Sequence, residues 1–126
     1  MKLRIKGNSL RLRLTRSEVE KLANEDTISE STDIAGNIFR YSLQKVEDIN
    51  DLSAEYTGDG ITISIPVNSV KGWSENDTVG FENTVSNNKG ESLHILVEKD
   101  FKCIEETTED QSDNFDNPNI SCSNEL

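Results

Sequence analysis

Apolar and polar residues alternate strictly in two short runs at the start of the chain. Leu3 and Ile5 alternate with Lys2, Arg4 and Lys6, and Leu10, Leu12 and Leu14 alternate with Arg11 and Arg13. A period of two marks strands that bury one face. The dipeptide Gly7-Asn8 between the runs suits a two-residue hairpin loop. That loop sets Lys6 opposite Ser9, Ile5 opposite Leu10, Arg4 opposite Arg11 and Leu3 opposite Leu12. Every apolar side chain then falls on one face and every basic one on the other.

A helix should follow. Thr15 with Glu18 three residues later forms a capping box, and Val19, Leu22 and Ala23 give an inward stripe at i, i+3 and i+4. Asn24-Glu25-Asp26 ends it. Residues 27–31 and 38–43 read as strands, the second with Phe39, Tyr41 and Leu43 on one face. Residues 47–51 form a polar connector.

The pattern then returns. Residues 53–57 read as a strand, Gly58-Asp59 as a turn, and Ile61, Ile63 and Ile65 alternate with Thr62 and Ser64. Pro66 suits the first turn of a helix whose stripe is Val67, Val70 and Trp73. Asn76-Asp77 closes it, residues 78–82 form a strand, and Leu93, Ile95 and Val97 mark the last one. With an offset of 51 positions Gly7 falls on Gly58, Leu10 on Ile61, Val19 on Val70, Leu22 on Trp73, Asp26 on Asp77 and Ile28 on Val79. Three extra residues around Asn88-Lys89-Gly90 then bring Phe39, Tyr41, Leu43 and Lys45 onto Leu93, Ile95, Val97 and Lys99. The shared turn glycine, helix stripe and Asp-Thr step favour duplication over coincidence.

The sequence Ile61-Thr62-Ile63-Ser64-Ile65-Pro66, the helix around Val70 and Trp73, and Asn76-Asp77-Thr78-Val79 resemble the swapped-hairpin transition regulators of the AbrB, SpoVT and MazE type. That resemblance implies a small barrel in which two β-β-α-β-β units interleave, here within one chain. The expected fold is thus mainly β with two short helices, a barrel of two pseudo-symmetric halves. Residues 1–101 form the duplicated domain, with repeats at about 2–45 and 53–99, and residues 102–126 form an acidic tail, disordered or laid over the barrel. DNA-binding members of that family carry basic residues on the hairpin, which Arg4 and Arg11 match. The family's helix arginines fall on Val19 and Glu20, and the second half offers Ser53, Glu55, Thr57, Thr62 and Ser64 in place of basic groups. Over nearly its whole length the chain also resembles a family of short bacterial proteins of unknown function. That likeness rests on residues 2–15, on Leu96-Val97-Glu98-Lys99-Asp100-Phe101, on Cys103, and on the acidic stretch ending Asn117-Pro118. It implies no activity.

Charge changes the picture. The net charge is −11 over 126 residues. Residues 1–16 hold six basic residues and no acid, which leaves −17 for the rest. Beyond Lys102 no basic residue occurs, while Glu105, Glu106, Glu109, Asp110, Asp113, Asp116 and Glu125 do. Overall acidity disfavours non-specific nucleic-acid binding, but a local basic face still acts within a Debye length of about 10 Å. Placing Arg4 opposite Arg11 and Lys2 opposite Arg13 costs up to about 1 kcal/mol per like-charge pair. Three readings are open. The face is a solvated guard against edge aggregation, it is neutralised by acids of the same chain, or it meets a phosphate backbone or an acidic partner. No aromatic residue interleaves the basic ones, which argues against a single-strand stacking platform.

Other chemistry is sparse. His94 lies on the strand face opposite Leu93, Ile95 and Val97 and reads as a surface residue rather than a general base. Trp73 matches Leu22 and reads as core. Cys103 and Cys122 are expected as reduced thiols; a disulfide closing the tail loop and a zinc site lacking two further ligands are the weaker alternatives. The acids do not match a calcium loop, because no glycine stands at its sharp turn. No phosphate-cradling glycine loop, nucleophile elbow or metal-binding histidine pair is present. With no export signal and no run of roughly 20 apolar residues, a cytoplasmic setting without membrane contact is expected. The expectation is a non-enzymatic binding or regulatory module without cofactor or metal. It would act through the basic face (Lys2, Arg4, Lys6, Arg11, Arg13), binding nucleic acid or an acidic ligand. Alternatively it would act through the acidic tail (Glu105, Glu106, Glu109, Asp110, Asp113, Asp116), which would wrap a basic protein as MazE-type antitoxins do.

Overall fold

A computed structural model of the chain describes residues 1–87, 89–101 and 113–115. In order these form β1 (Lys2–Lys6), β2 (Ser9–Leu14), α1 (Arg16–Asn24), β3 (Thr27–Ile34), β4 (Asn37–Val46), β5 (Ser53–Thr57), β6 (Gly60–Pro66), α2 (Val67–Val70), β7 (Gly80–Ser86) and β8 (Ser92–Lys99). The molecule is mainly β with two short helices, and the order β-β-α-β-β occurs twice.

The strands form two four-stranded sheets, ordered β1-β2-β8-β7 and β3-β4-β6-β5. Each sheet takes one hairpin from each half of the chain. β2 runs parallel to β8, and β4 runs parallel to β6. The first hairpin has the register its loop demands, from Lys2 opposite Arg13 to Lys6 opposite Ser9. Gly7 supplies the left-handed turn, at φ 55°.

The sheets are not closed into a barrel, contrary to expectation. Among the described residues β1 and β7 remain the edges of one sheet, and β3 and β5 the edges of the other. The edge sequences account for this. β3 buries only Ile28 and exposes Ser29 through Ile34, and β5 is five residues long with only Ala54 and Thr57 half-buried. Edges that bury so few side chains contribute little to a closed interior.

One core joins the two sheets and the helices. Leu12, Leu14, Ile95 and Val97 come from the first sheet, Leu43, Ile63 and Ile65 from the second, and Val19, Leu22 and Trp73 from the segments between; all are fully buried. The predicted capping box is present at α1, where the Thr15 backbone N–H donates to Glu18 at 2.9 Å and Thr15 Oγ1 accepts from the Glu18 backbone N–H at 3.4 Å. Ala23 is exposed, so the inward stripe is Val19 and Leu22 alone. The second helix is shorter than its pattern suggested. α2 has no side-chain cap, its Asn68 and Ser69 are weak helix formers, and Gly72 at φ 68° turns the chain out of the helix. Trp73 is still buried, donating from Nε1 to the Thr78 carbonyl at 2.8 Å and meeting Phe81 edge-on at 5.1 Å. The following strand begins at Gly80, which leaves Val79 exposed where its counterpart Ile28 is buried.

Two further parts of the core come from irregular chain. Leu52 is buried in the connector, and its carbonyl accepts from Asn83 Nδ2 at 2.8 Å. Phe115 is 5% exposed and lies beside β8. It forms an isolated parallel bridge with Phe101, its N–H donates to the Asp100 carbonyl at 2.9 Å, and the Arg16 N–H donates to the Asp113 carbonyl at 3.0 Å. The Arg16 guanidinium and the Lys99 ammonium lie 4.7 and 4.9 Å from the Phe115 ring centroid. Burial lowers the pKa of Lys99, and its ammonium donates to the Asn76 carbonyl at 2.6 Å.

Candidate anion-binding site

Strand alternation carries Lys2, Arg4 and Lys6 to the outer face of β1, and Ser9, Arg11 and Arg13 to the same face of β2. What the sequence did not announce is the third strand. Parallel pairing sets His94 beside Ser9, Leu96 beside Arg11 and Glu98 beside Arg13. β7 then adds Thr84 next to His94 and Glu82 next to Leu96. The face therefore grades from basic at the β1 edge to acidic at the β7 edge.

The five predicted basic residues do share this face, but in two groups. At the lower end Glu98 Oε1 lies 3.0 Å from Arg11 Nε and 2.9 Å from Arg13 Nε. Lys2 Nζ lies 3.3 Å from the carboxylate of the largely buried Asp100. Part of the basic charge is thus neutralised by acids of the same chain, and those among the described residues are Glu98 and Asp100 at the end of β8. At the upper end Arg4, Lys6, Ser9, Arg11, His94 and Leu96, with Leu10, line a cleft of about 240 Å³. His94 is held by Thr84 Oγ1 at 3.2 Å from Nδ1 and faces Glu82 at 3.5 Å from Nε2. The hairpin tip is fixed to β8, because the His94 backbone N–H donates to the Asn8 carbonyl at 3.0 Å and Asn8 Nδ2 donates to the Ser92 carbonyl.

The second sheet repeats this geometry without its charge. Glu55 and Thr57 stand where Arg4 and Lys6 stand, Gly60 and Thr62 where Ser9 and Arg11 stand, and Arg40 and Ser42 sit beside them as His94 and Leu96 do. Arg40 is ion-paired to Asp59 at 3.0 Å. The sheet forms equally well with hydroxyls and an acid at these positions, so folding does not require the basic set.

Of the predicted tail residues only Asp113 is described; Glu105, Glu106, Glu109, Asp110 and Asp116 lie outside the described residues, as do Cys103 and Cys122. Asp113 accepts from Ser17 Oγ at 2.7 Å, and this hydrogen bond holds its carboxyl below the usual carboxylate range. Among the described residues no group of three or more His, Cys, Asp or Glu side chains is placed to hold a metal ion, and no helix is long and apolar enough to cross a membrane. The site residues that sequence reasoning missed are Glu98, Asp100, Leu96 and the position of His94 within the cleft. Glu98 and Leu96 have the opposite parity to Ile95 and Val97, which was visible, but the strand they lie against was not.

Compared with known proteins, the chain belongs to a family of unknown function (DUF7009), matched over residues 1–119. No curated protein and no solved structure matches it.

Proposed function

Membership of that family brings no activity with it, and we propose that the chain is a non-enzymatic binding module whose basic hairpin face holds phosphate-bearing nucleic acid. One observation carries this reading: Arg4, Lys6, Arg11 and His94 converge on a single cleft, although the equivalent positions of the other sheet do without any such set. Guanidinium and ammonium groups gathered around a concave surface suit phosphate oxygens, the arginines as planar forks and the lysine as a point charge. The exchange of hairpins between the halves supports reading each half as a swapped-hairpin unit of the AbrB type, and a cytoplasmic setting would supply the nucleic acid. The alternative, a tail that wraps a basic partner, has less support, because Asp113 is engaged with Ser17.

Fluorescence anisotropy with a labelled short duplex tests this. Binding should appear at low ionic strength and fall with salt at a log–log slope of about −2 to −3, as neutralisation of two or three phosphates requires. The double variant Arg4→Gln/Lys6→Gln should bind at least tenfold more weakly. Absence of binding by the full chain at low salt refutes the reading.

A further inference from the structure

We propose that the groove between the start of α1 and the chain leaving β8 is a docking site for an acidic, aromatic-bearing peptide of the form Asp-x-Phe. The chain fills it with its own Asp113-Asn114-Phe115, and a partner protein carrying such a segment enters by displacing them. None of the groove residues lines the basic cleft, so this inference stands apart from the preceding reading.

Residues 113–115 are held as a bound peptide would be, through their backbone and through two side chains. The Arg16 N–H donates to the Asp113 carbonyl at 3.0 Å, and the Phe115 N–H donates to the Asp100 carbonyl at 2.9 Å. The parallel bridge between Phe115 and Phe101 makes this a strand addition in miniature. The Asp113 carboxylate accepts from Ser17 Oγ at 2.7 Å and from the Ser17 N–H at 3.4 Å. Carbonyl and carboxylate together therefore satisfy two of the first-turn N–H groups that a helix leaves without an internal partner, at the end where negative charge is favoured. The Phe115 ring meets the Arg16 guanidinium at 4.7 Å, the Lys99 ammonium at 4.9 Å and the Phe101 ring at 6.1 Å between centroids. The two anchors fall on the outer positions of the tripeptide, which sets the pattern Asp-x-Phe. The helix start, Arg16 and Lys99 are all positive, so the entering segment must be acidic.

The other half of the chain builds the same corner from different residues. Pro66, Val67 and Asn68 stand where Thr15, Arg16 and Ser17 stand, and Val46 follows Lys45 where Asp100 follows Lys99. There the Lys45 ammonium donates to the Ala23 carbonyl at 2.9 Å, and α2 has no side-chain cap. The fold does not call for a helix start that takes a carboxylate beside cations that take a ring. Nor does the tether dictate the docking. Residues 102–114 separate the two bridged phenylalanines and could span on the order of 40 Å when extended, so the contacts seat residues 113–115. A short tether gives its segment an effective concentration of the order of millimolar, and a partner overcomes this by adding contacts outside the tripeptide.

A labelled peptide of residues 112–116, blocked at both ends, tests the proposal. It is titrated by fluorescence anisotropy against the full chain and against full-length Phe115→Ala and Asp113→Ala/Phe115→Ala, which vacate the groove. Both variants should bind it at least tenfold more tightly than the unaltered chain, which has its own segment in place. Binding should also raise the melting temperature of Phe115→Ala, a readout that holds even where that variant is poorly folded alone. A peptide with alanine in place of phenylalanine should not bind, and Ser17→Ala in the Phe115→Ala background should weaken binding several-fold. Equal affinity for the unaltered chain and both variants would place the peptide elsewhere and overturn the proposal. So would a peptide that neither binds nor stabilises either variant, binding indifferent to loss of the phenylalanine, or affinity untouched by Ser17→Ala.

Discussion

Replacing Phe115 by alanine removes an aromatic ring that reaches the core from beyond the last strand. At 5% exposure the ring is buried as deeply as a core residue, and Phe→Ala in such a setting costs about 3–5 kcal/mol. The two cations at 4.7 and 4.9 Å lose their ring as well, worth about 0.5–1 kcal/mol for the exposed Arg16 and up to about 2 kcal/mol for the buried Lys99. Segments near a chain end relax more readily than a sheet interior, which favours the low end of the first range. The expected cost is about 4 kcal/mol, a large part of the roughly 5–15 kcal/mol that holds a domain of this size. Urea unfolding followed by Trp73 fluorescence gives the free energy directly. Trp73 is the chain's one tryptophan, is fully buried and reports on the core. Phe115→Leu, which keeps apolar volume but no ring, should recover more than half of the loss. A cost below about 1 kcal/mol for the alanine variant would refute the reasoning, because a ring so placed cannot be removed that cheaply.

Three other outcomes follow from the same packing. Asp113 has a lowered pKa because of its hydrogen bond with Ser17, so its contribution to docking of residues 113–115 is full above the ordinary carboxylate pKa and is lost as pH falls through the folded value. Asp113→Asn should flatten that acid limb of the stability curve, and an unchanged limb would sink the assignment. The Tyr41 hydroxyl donates to Glu30 at 3.1 Å, and burial together with that carboxylate pushes its pKa up to about 12. Its stabilising contribution is therefore present below the ordinary value near 10 and disappears as pH rises toward 12. In a Tyr56→Phe background, where Tyr41 is the sole tyrosine, absorbance titration should show a midpoint near 12, and a midpoint near 10 would contradict it. Gly60→Ala should cost about 3 kcal/mol or more, because the new Cβ would stand 1.6 Å from the Arg40 carbonyl oxygen in the β4–β6 ladder. Gly7→Ala, with open space around it, should cost about 1 kcal/mol for its positive φ alone. Similar melting temperatures for the two variants would argue against the close approach.

Much of the local structure was legible from residues close together in the chain. Gly7-Asn8 and the alternation around it specify a hairpin and its register, and Thr15 with Glu18 specifies where α1 begins. The pairing of hairpins was not legible, because β2 and β8 are more than eighty residues apart and nothing in either strand names the other. This is why a uniformly basic face was expected where the structure has a basic cleft bounded by carboxylates: Glu98 is an unremarked polar position of a strand until that strand is laid against Arg11 and Arg13. Closure of a barrel was overestimated for a related reason. The twofold pattern fixes which face of β3 is apolar near Ile28, but it does not say that Ser29 to Ile34 will run on into solvent.

The exchange of hairpins has a consequence for how the chain can fold and be divided. A ribosome that has released only the first half has made β1, β2, β3 and β4, yet the inner strands β2 and β4 each await a neighbour, β8 and β6, that has not been synthesised. Completion depends on contacts across most of the chain length, the kind that slow folding. The same wiring makes the two halves complementary fragments. Severed in the exposed stretch at Glu47 and Asp48, they would each carry two hairpins lacking their parallel partners, and each would supply what the other lacks. Reassembly of two separately made pieces into one folded body is the behaviour this topology encodes.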